Sequence, residues 1–405
     1  LKVAVLVPDG AADWPIEELG GKTPLEVAQT PNMDEVARRG IIGTVRTIPE
    51  GMSPGSDVAN MSLMGYDPRR FLTGRAPIEA ANLGIEIADG WTAFRCNLVT
   101  VEDDIMVDYS AGHIDQNDAS GFIDLLNRRI ADEKTRFYAG TSYRNILLLE
   151  GSYEGVECTP PHDIIGMPIK DHLPSGQGAD LLISIMERSR DVFASCELNQ
   201  RRKRDNLPQV SMVWLWGQGR KMVLESFEKR FGLKGGIISA VDLICGIGKL
   251  VGLRRVHVPG MTGYLDTNYA GKGDAAVEVL KEETFVFVHV EAPDEASHMG
   301  SIEEKIKAIE RFDKMVVGRV LEYLTGAREE SRIVVCPDHP TFISTRTHDP
   351  SPVPFALCGT GIPRGRFDTF SEKSAALSGI HVREGHELLV MVATLKAWDP
   401  RLFKA

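Results

Sequence analysis

Three short apolar runs in this chain end in the same way. "KVAVLV" runs into Pro8-Asp9-Gly10, "TFVFVHV" into Glu291-Ala292-Pro293-Asp294, and "RIVVC" into Pro337-Asp338-His339. Each is brief, β-branched and nearly unbroken in apolar residues, the pattern of a strand buried on both faces. Helical patterns lie between the runs. "TPNMDEVARRG" offers Thr30 or Asn32 as an N-cap and Gly40 as a stop. "SIEEKIKAIERFDKMVVGRVLEYL" reads as one long amphipathic helix, with Ile302, Ile306, Ile309, Phe312 and Val316 on one stripe. Strands alternating with helices predict an α/β fold, a mostly parallel sheet flanked by helices. Such sheets bind ligands beyond the carboxyl ends of their strands. If the three strands are parallel neighbours, Asp9, Asp294 and Asp338 converge at one edge.

The middle of the chain reads differently. From about Trp91 to Ile237, short β-like runs ("TAFRCNLVTV", "RNILLLEG", "MVWLWGQG") interleave with two helical candidates, "ASGFIDLLNRRIA" and "GADLLISIMERSRDVFA". This predicts a smaller α+β domain over 88–237, inserted into a discontinuous domain of 1–87 and 238–405. A chain of 405 residues with 43% hydrophobic content can bury a large core. It has no apolar run long enough for a membrane span, and "LKVAVLVPDG" is too short and too soon interrupted for an export signal. The net charge of -11 disfavours nucleic acid as a partner, because phosphate binding needs a basic face. The one basic run, Arg201 to Arg204, is expected to be a solvated surface segment. None of the six cysteines forms a CxxC pair, and nothing suggests a disulfide framework, so the cytoplasm is the expected compartment.

The chemistry-bearing residues follow from the strand ends. Asp294 and His298 are spaced D-x-x-x-H, and would lie on a turn if a helix begins at Met299. Asp338 and His339 are adjacent, so their side chains fork around one ion or serve two. His348 returns from a loop nine residues after His339. With Asp9 the set is three carboxylates and three imidazoles, enough for two divalent ions, and the imidazoles favour transition metals such as Mn or Zn. Asp9 or Asp294 taken alone is more often a helix cap than a ligand; acidic or imidazole groups at the ends of three buried strands together favour metal. Ser56, in "GMSPGSDVANMSLMGYDP", stands at the expected start of a helix, where it is either an N-cap or a nucleophile beside an anion site. Candidate anion-binding residues are Arg144, His162, Asp163, Arg220 and Lys272, with Arg220 favoured because it follows a Gly-Gln-Gly turn.

Taken together, "VPDG", "GSDVANMSLMGYDP", "WLWGQGR", "ISAVDLICGIGKLVGL", "VPGMTGYLDTNYAGKG", "HVEAPDEASH" and "CPDHPTFISTRTHDPSPVPF" resemble the archaeal-type, cofactor-independent 2,3-bisphosphoglycerate-independent phosphoglycerate mutases of the alkaline phosphatase superfamily. The resemblance keeps motif order over essentially the whole chain. It implies an alkaline-phosphatase-like fold and one ion held by Asp294, His298 and His348. A second ion is then held by Asp9, Ser56, Asp338 and His339. Mn is the expected metal, with Mg, Co or Zn used by some members, and no 2,3-bisphosphoglycerate is required. The implied reaction interconverts 3-phosphoglycerate and 2-phosphoglycerate, in glycolysis and gluconeogenesis, through a phosphoserine at Ser56. Substrate would lie between the two domains, with hinges near residues 85–92 and 235–240. Cys336-Pro337 and Pro340 replace the small residues that often flank the Asp-His pair, which predicts a stiffer loop. The arginine-rich substrate motifs of bacterial-type mutases have no counterpart in the insert. The metal site does not by itself choose the acceptor, so a phosphatase or phosphotransferase on another small metabolite, such as a homoserine-kinase-like role, is the alternative. A non-catalytic metal-binding protein is the alternative from another class.

Overall fold

A computed structural model describes residues 1–394 of the chain; the end of the expected 238–405 segment, from residue 395, lies outside the described residues. The chain forms two compact units, Leu1–Leu72 with the chain from Leu224 onward, and Thr73–Val223.

The first unit is built on an eight-stranded sheet. Its order is Arg254–Arg255, Gly235–Ile238, Phe285–Val290, Lys2–Pro8, Ser331–Val335, Val353–Gly359, Ile41–Val45, His381–Val382. Val353–Gly359 runs antiparallel to both neighbours, and all other pairs are parallel. The three apolar runs are therefore adjacent at the centre of a mostly parallel sheet. Every residue of Lys2–Pro8 and Phe285–Val290 is buried, which explains the absence of alternation in the sequence. Leu6, Val286, Val288, Ile333 and Val335 pack against Val279, Leu280, Ile309, Phe312 and Val316 of the covering helices. Each fully buried side chain of this kind contributes about 1.5–3 kcal/mol.

The long amphipathic helix is interrupted. It runs as Ile302–Phe312, a π-helical turn Asp313–Val317, and Gly318–Gly326. The buried Asp313 carboxylate accepts from the backbone N–H of Asn32 (3.1 Å) and Met33 (2.7 Å). It thus caps the helix Pro31–Arg39, whose own N-cap residue Thr30 makes no capping side-chain bond to the backbone. A π turn inside an α-helix commonly marks such a special demand on one residue.

The second unit is α+β. Trp91–Glu102 pairs antiparallel with Ile105–Asp108, Arg144–Glu150 and Met212–Arg220, and Thr135–Thr141 adds to Arg144–Glu150. Its core includes Phe94, Leu98, Phe122, Leu147, Met186 and Trp214. The expected boundaries were 88 and 237; the units divide at 72/73 and 223/224. Two packing facts account for this. Helix Arg75–Leu83 lays Ala76 and Ala80 on Ala93, Ile146 and Leu148 of the second unit. At the other end, Phe227 packs on Phe285 with ring centroids 4.4 Å apart, and Gly235–Ile238 pairs with Phe285–Val290. The Arg201–Arg204 run is not simply solvated. Arg202 is buried, donating to Asp118 Oδ2 at 2.8 Å and to the carbonyls of Pro208 and Ala111.

Candidate metal centre and nucleophile

Because the three central strands are parallel neighbours, their carboxyl ends open at one edge of the sheet. Asp9 follows Lys2–Pro8 directly, and Asp338 follows Ser331–Val335 by three residues. Asp294 and His298 lie within the helix Ala292–His298, not on a turn before a helix at Met299. Spacing of four residues puts both on one helix face. His348 is carried by a hairpin, Thr341–Phe342 against Thr347–His348, that sets it opposite Thr341.

Two donor groups result. His298 Nε2 is 3.1 Å from Asp294 Oδ2 and 3.1 Å from His348 Nε2, while His348 Nε2 is 3.4 Å from Asp294 Oδ1. His339 Nε2 is 3.5 Å from Asp9 Oδ1, 3.6 Å from Asp338 Oδ2 and 3.1 Å from Ser56 Oγ. Donor atoms of Asp294, His339 and His348, and likewise of Asp9, Asp338 and His339, lie within 4.8 Å of one another. His339 belongs to both sets.

The electrostatics fit a cation. Burial, then the charges of Asp338 and Asp294, push the Asp9 carboxyl well above its ordinary range. Burial also pushes Asp294 and Asp338 up, but their histidine neighbours outweigh it and both end below the ordinary value. The Asp294 hydrogen bond holds His298 up at about 9. Asp9 Oδ1 is buried and accepts no hydrogen bond. Buried carboxylates that repel one another, one with an oxygen left over, are the environment a divalent ion relieves, and mixed carboxylate and imidazole donors suit transition metals.

Ser56 is the first residue of the helix Ser56–Leu63, and Gly55 occupies the N-cap. The serine hydroxyl is therefore not engaged in capping and faces His339. Sequence reading missed the residues that hold these groups. Asn60 Nδ2 donates to Asp338 Oδ2 (2.8 Å) and to the Ser56 carbonyl (2.9 Å), tying the Ser56 helix to the Asp338 loop. Thr341 Oγ1 donates to Asp294 Oδ1 at 2.5 Å and lies 3.2 Å from His339 Nδ1. His289 Nε2 stands 3.0 Å from Asp9 Oδ2. Gly10 has φ of +63°, and a Cβ there would lie 2.6 Å from Thr341 Oγ1, so no larger residue fits. A polar residue in an otherwise apolar buried run, such as His289 in "TFVFVHV", was the available signal.

Comparison with known proteins supports a family. The family model described as 2,3-bisphosphoglycerate-independent phosphoglycerate mutase matches residues 37–199. The mutase of that name from Methanothrix thermoacetophila is 51% identical over 389 residues, covering 96% of this chain and 98% of the relative. The chain belongs to the 2,3-bisphosphoglycerate-independent phosphoglycerate mutase family. A second relative of this name, from Methanothermobacter thermautotrophicus, is 49% identical over 96% of both chains. A solved Pyrococcus horikoshii protein shares the fold with a TM-score of 0.81 and 28% identity, covering 98% of this chain and 99% of that one. The cofactor-independent phosphoglycerate mutase from Thermoplasma acidophilum matches the fold at a TM-score of 0.67 and 24% identity, covering 97% and 100%.

In this member of the phosphoglycerate mutase family, the expected anion-binding residues fall in different places. Within the second unit, Arg144 lies 5.8 Å from the Tyr143 ring, and His162 stands edge-on to Trp216 at 5.3 Å and 3.6 Å from Asp163. Two unforeseen arginines join them. Arg95 stacks on Trp216 at 4.0 Å and pairs with Glu79 at 2.8 Å. Burial, then the charges of Arg95 and Arg75 among its neighbours, lower His162. Arg220 stands apart, paired with Glu154. Lys272 is wholly buried, its Nζ donating to the His289 carbonyl at 3.0 Å. That bond fastens the strand Phe285–Val290.

Proposed function

We propose that the chain interconverts 3-phosphoglycerate and 2-phosphoglycerate through a phosphoserine at Ser56. The observation that carries this is Ser56 Oγ itself, at a helix N-terminus and 3.1 Å from His339, whose donor atom lies within 4.8 Å of those of Asp294 and His348 and of those of Asp9 and Asp338. Two divalent ions, Mn first and Mg, Co or Zn otherwise, would be held by Asp294, His298 and His348 and by Asp9, Ser56, Asp338 and His339, supplying Lewis acidity at the phosphoryl oxygens and a lowered hydroxyl pKa. The first-turn N–H groups of Ser56–Leu63 have no intrahelical partners and favour an incoming phosphate. The Ser56 Oγ–P bond forms as the bond from phosphorus to the substrate hydroxyl breaks. The proton lost by Ser56 is matched by the one the released hydroxyl gains. Glycerate then returns its other hydroxyl to the phosphorus, and Ser56 is regenerated. Within the second unit, Arg144, His162 and Asp163, with Arg75 and Arg95 near them, are proposed to bind an anion.

An enolase-coupled assay with 3-phosphoglycerate tests this. Steady formation of 2-phosphoglycerate is expected, whereas free phosphate with little 2-phosphoglycerate would show a phosphatase. Ser56→Ala is expected to abolish turnover, a loss of at least about 10³-fold for a nucleophile, while the protein still takes up Mn2+.

A further inference from the structure

The helix Ile302–Phe312 buries Lys305, Ala308, Ile309 and Phe312. Three of these are ordinary core residues. Lys305 is not, and its relative exposure is 0%. An apolar side chain would fill the space without the cost of desolvating an ammonium. What the ammonium adds is direction. Lys305 Nζ donates to Asp13 Oδ2 (2.8 Å), to the Thr341 carbonyl (2.8 Å) and to the Ala12 carbonyl (3.3 Å). All three of its protons are thereby engaged.

These partners belong to the loops that carry the donor groups. Ala12 and Asp13 continue the loop begun by Asp9, Thr341 is two residues past His339, and Lys305 sits on the helix that follows Asp294 and His298. Asp13 Oδ2 also accepts from the Ile343 N–H at 3.2 Å, so its carboxylate spans the same two loops. On the opposite side of Thr341, the hydroxyl reaches Asp294 and His339. Lys305 touches none of the proposed ligands, yet it is one bonded group away from segments at all three strand ends.

We propose that Lys305 is a positioning residue: it sets the spacing between the Asp9–Asp338–His339 group and the Asp294–His298–His348 group, and so the affinity of the site for paired divalent ions. This rests on reading those groups as ion sites. A plain core strut would affect stability alone.

The test is Mn2+ titration by calorimetry of chelator-stripped protein. Wild type is expected to bind two ions; failure to bind any would overturn the ion-site reading itself. Lys305→Met, which keeps volume, is expected to raise the Mn2+ Kd about 10–100-fold, as loss of outer-shell support does, with Lys305→Arg restoring most of it. Lys307→Ala, at a half-buried position of the same helix where Lys307 pairs with Glu303, is expected to leave Mn2+ binding unchanged. A folded Lys305→Met protein with wild-type stoichiometry and Kd would overturn the proposal. Hydrogen exchange on the wild type is independent of whether the variants fold. Added Mn2+ is expected to slow exchange at residues 11–13, 301–306 and 341–343 together; protection limited to the ligand-bearing segments would overturn it as well.

Discussion

Asn60 shows how much one atom decides. Its Nδ2 places a donor against the Asp338 carboxylate and against the Ser56 carbonyl. Asn60→Asp keeps the shape and reverses the role, setting a further carboxylate beside Asp338. A buried acceptor facing an acceptor costs about 1–3 kcal/mol, more when charged. The expected result is a lower Tm and a kcat reduced about 100-fold or more, since the Ser56 helix loses its tie to the ligand loop. Steady-state kinetics and thermal unfolding of one variant read both effects. Ser56 itself illustrates the same point. As an N-cap its hydroxyl would be tied to the helix; with Gly55 in that place it is available.

At the scale of elements, charges placed inside packed faces make stability depend on pH. The helix Glu372–Leu377 begins with a glutamate that accepts from the Asp13 N–H (3.0 Å) and from Thr23 Oγ1 (2.7 Å). Burial pushes Glu372 up to about 7, and those bonds and the Lys305 charge only partly oppose it. Between its ordinary value of 4.5 and about 7, the folded chain holds a proton that the unfolded chain has lost. Stability from this group therefore falls as pH rises through that window and is level above it. Glu372→Gln removes the slope, with a gain of up to about 3 kcal/mol at pH 8 relative to pH 4.5. Denaturant unfolding of both proteins across that range checks the sign; parallel curves would refute it. The interrupted helix belongs to this scale too. The periodicity of "SIEEKIKAIERFDKMVVGRVLEYL" is helical throughout, and no local pattern shows that Asp313 must reach the end of Pro31–Arg39.

For the whole molecule, the two units carry separate cores. The cluster around Phe94, Phe122, Leu147 and Trp214 draws only on residues of the second unit. Residues 73–223 expressed alone are therefore expected to unfold cooperatively, at a temperature that does not change with Mn2+. In the full chain, Mn2+ at about 1,000 times its Kd is expected to raise the stability of the first unit by about 4 kcal/mol. Differential scanning calorimetry of both proteins, with chelator and with MnCl2, separates the two. A Mn2+-dependent shift in the isolated residues 73–223 would place an ion outside the Asp9 and Asp294 groups. Among the described residues, no helix is long and apolar enough to cross a membrane.

The sequence by itself determined the sheet and its edge. Burial on both faces writes an unbroken apolar run, so the strands of Asp9, Asp294 and Asp338 were visible without a partner in view. It also marked His339 beside the aspartate that ends such a run, His298 by its spacing from Asp294, His348 on the loop that follows, and Ser56 at an expected helix start. Tertiary structure alone decided the supporting set. Lys272, a candidate anion-binding residue, and Lys305, unremarked in its helix, are both buried with their ammonium groups on backbone carbonyls. Arg202 sits in a basic run and is buried on Asp118, while Arg75 and Arg95 gather beside His162 from separate elements. Helical periodicity and strand composition are local quantities, readable within a few turns of chain. The partner that makes a buried charge tolerable comes from far along the sequence, so only the folded arrangement shows which charges are inside.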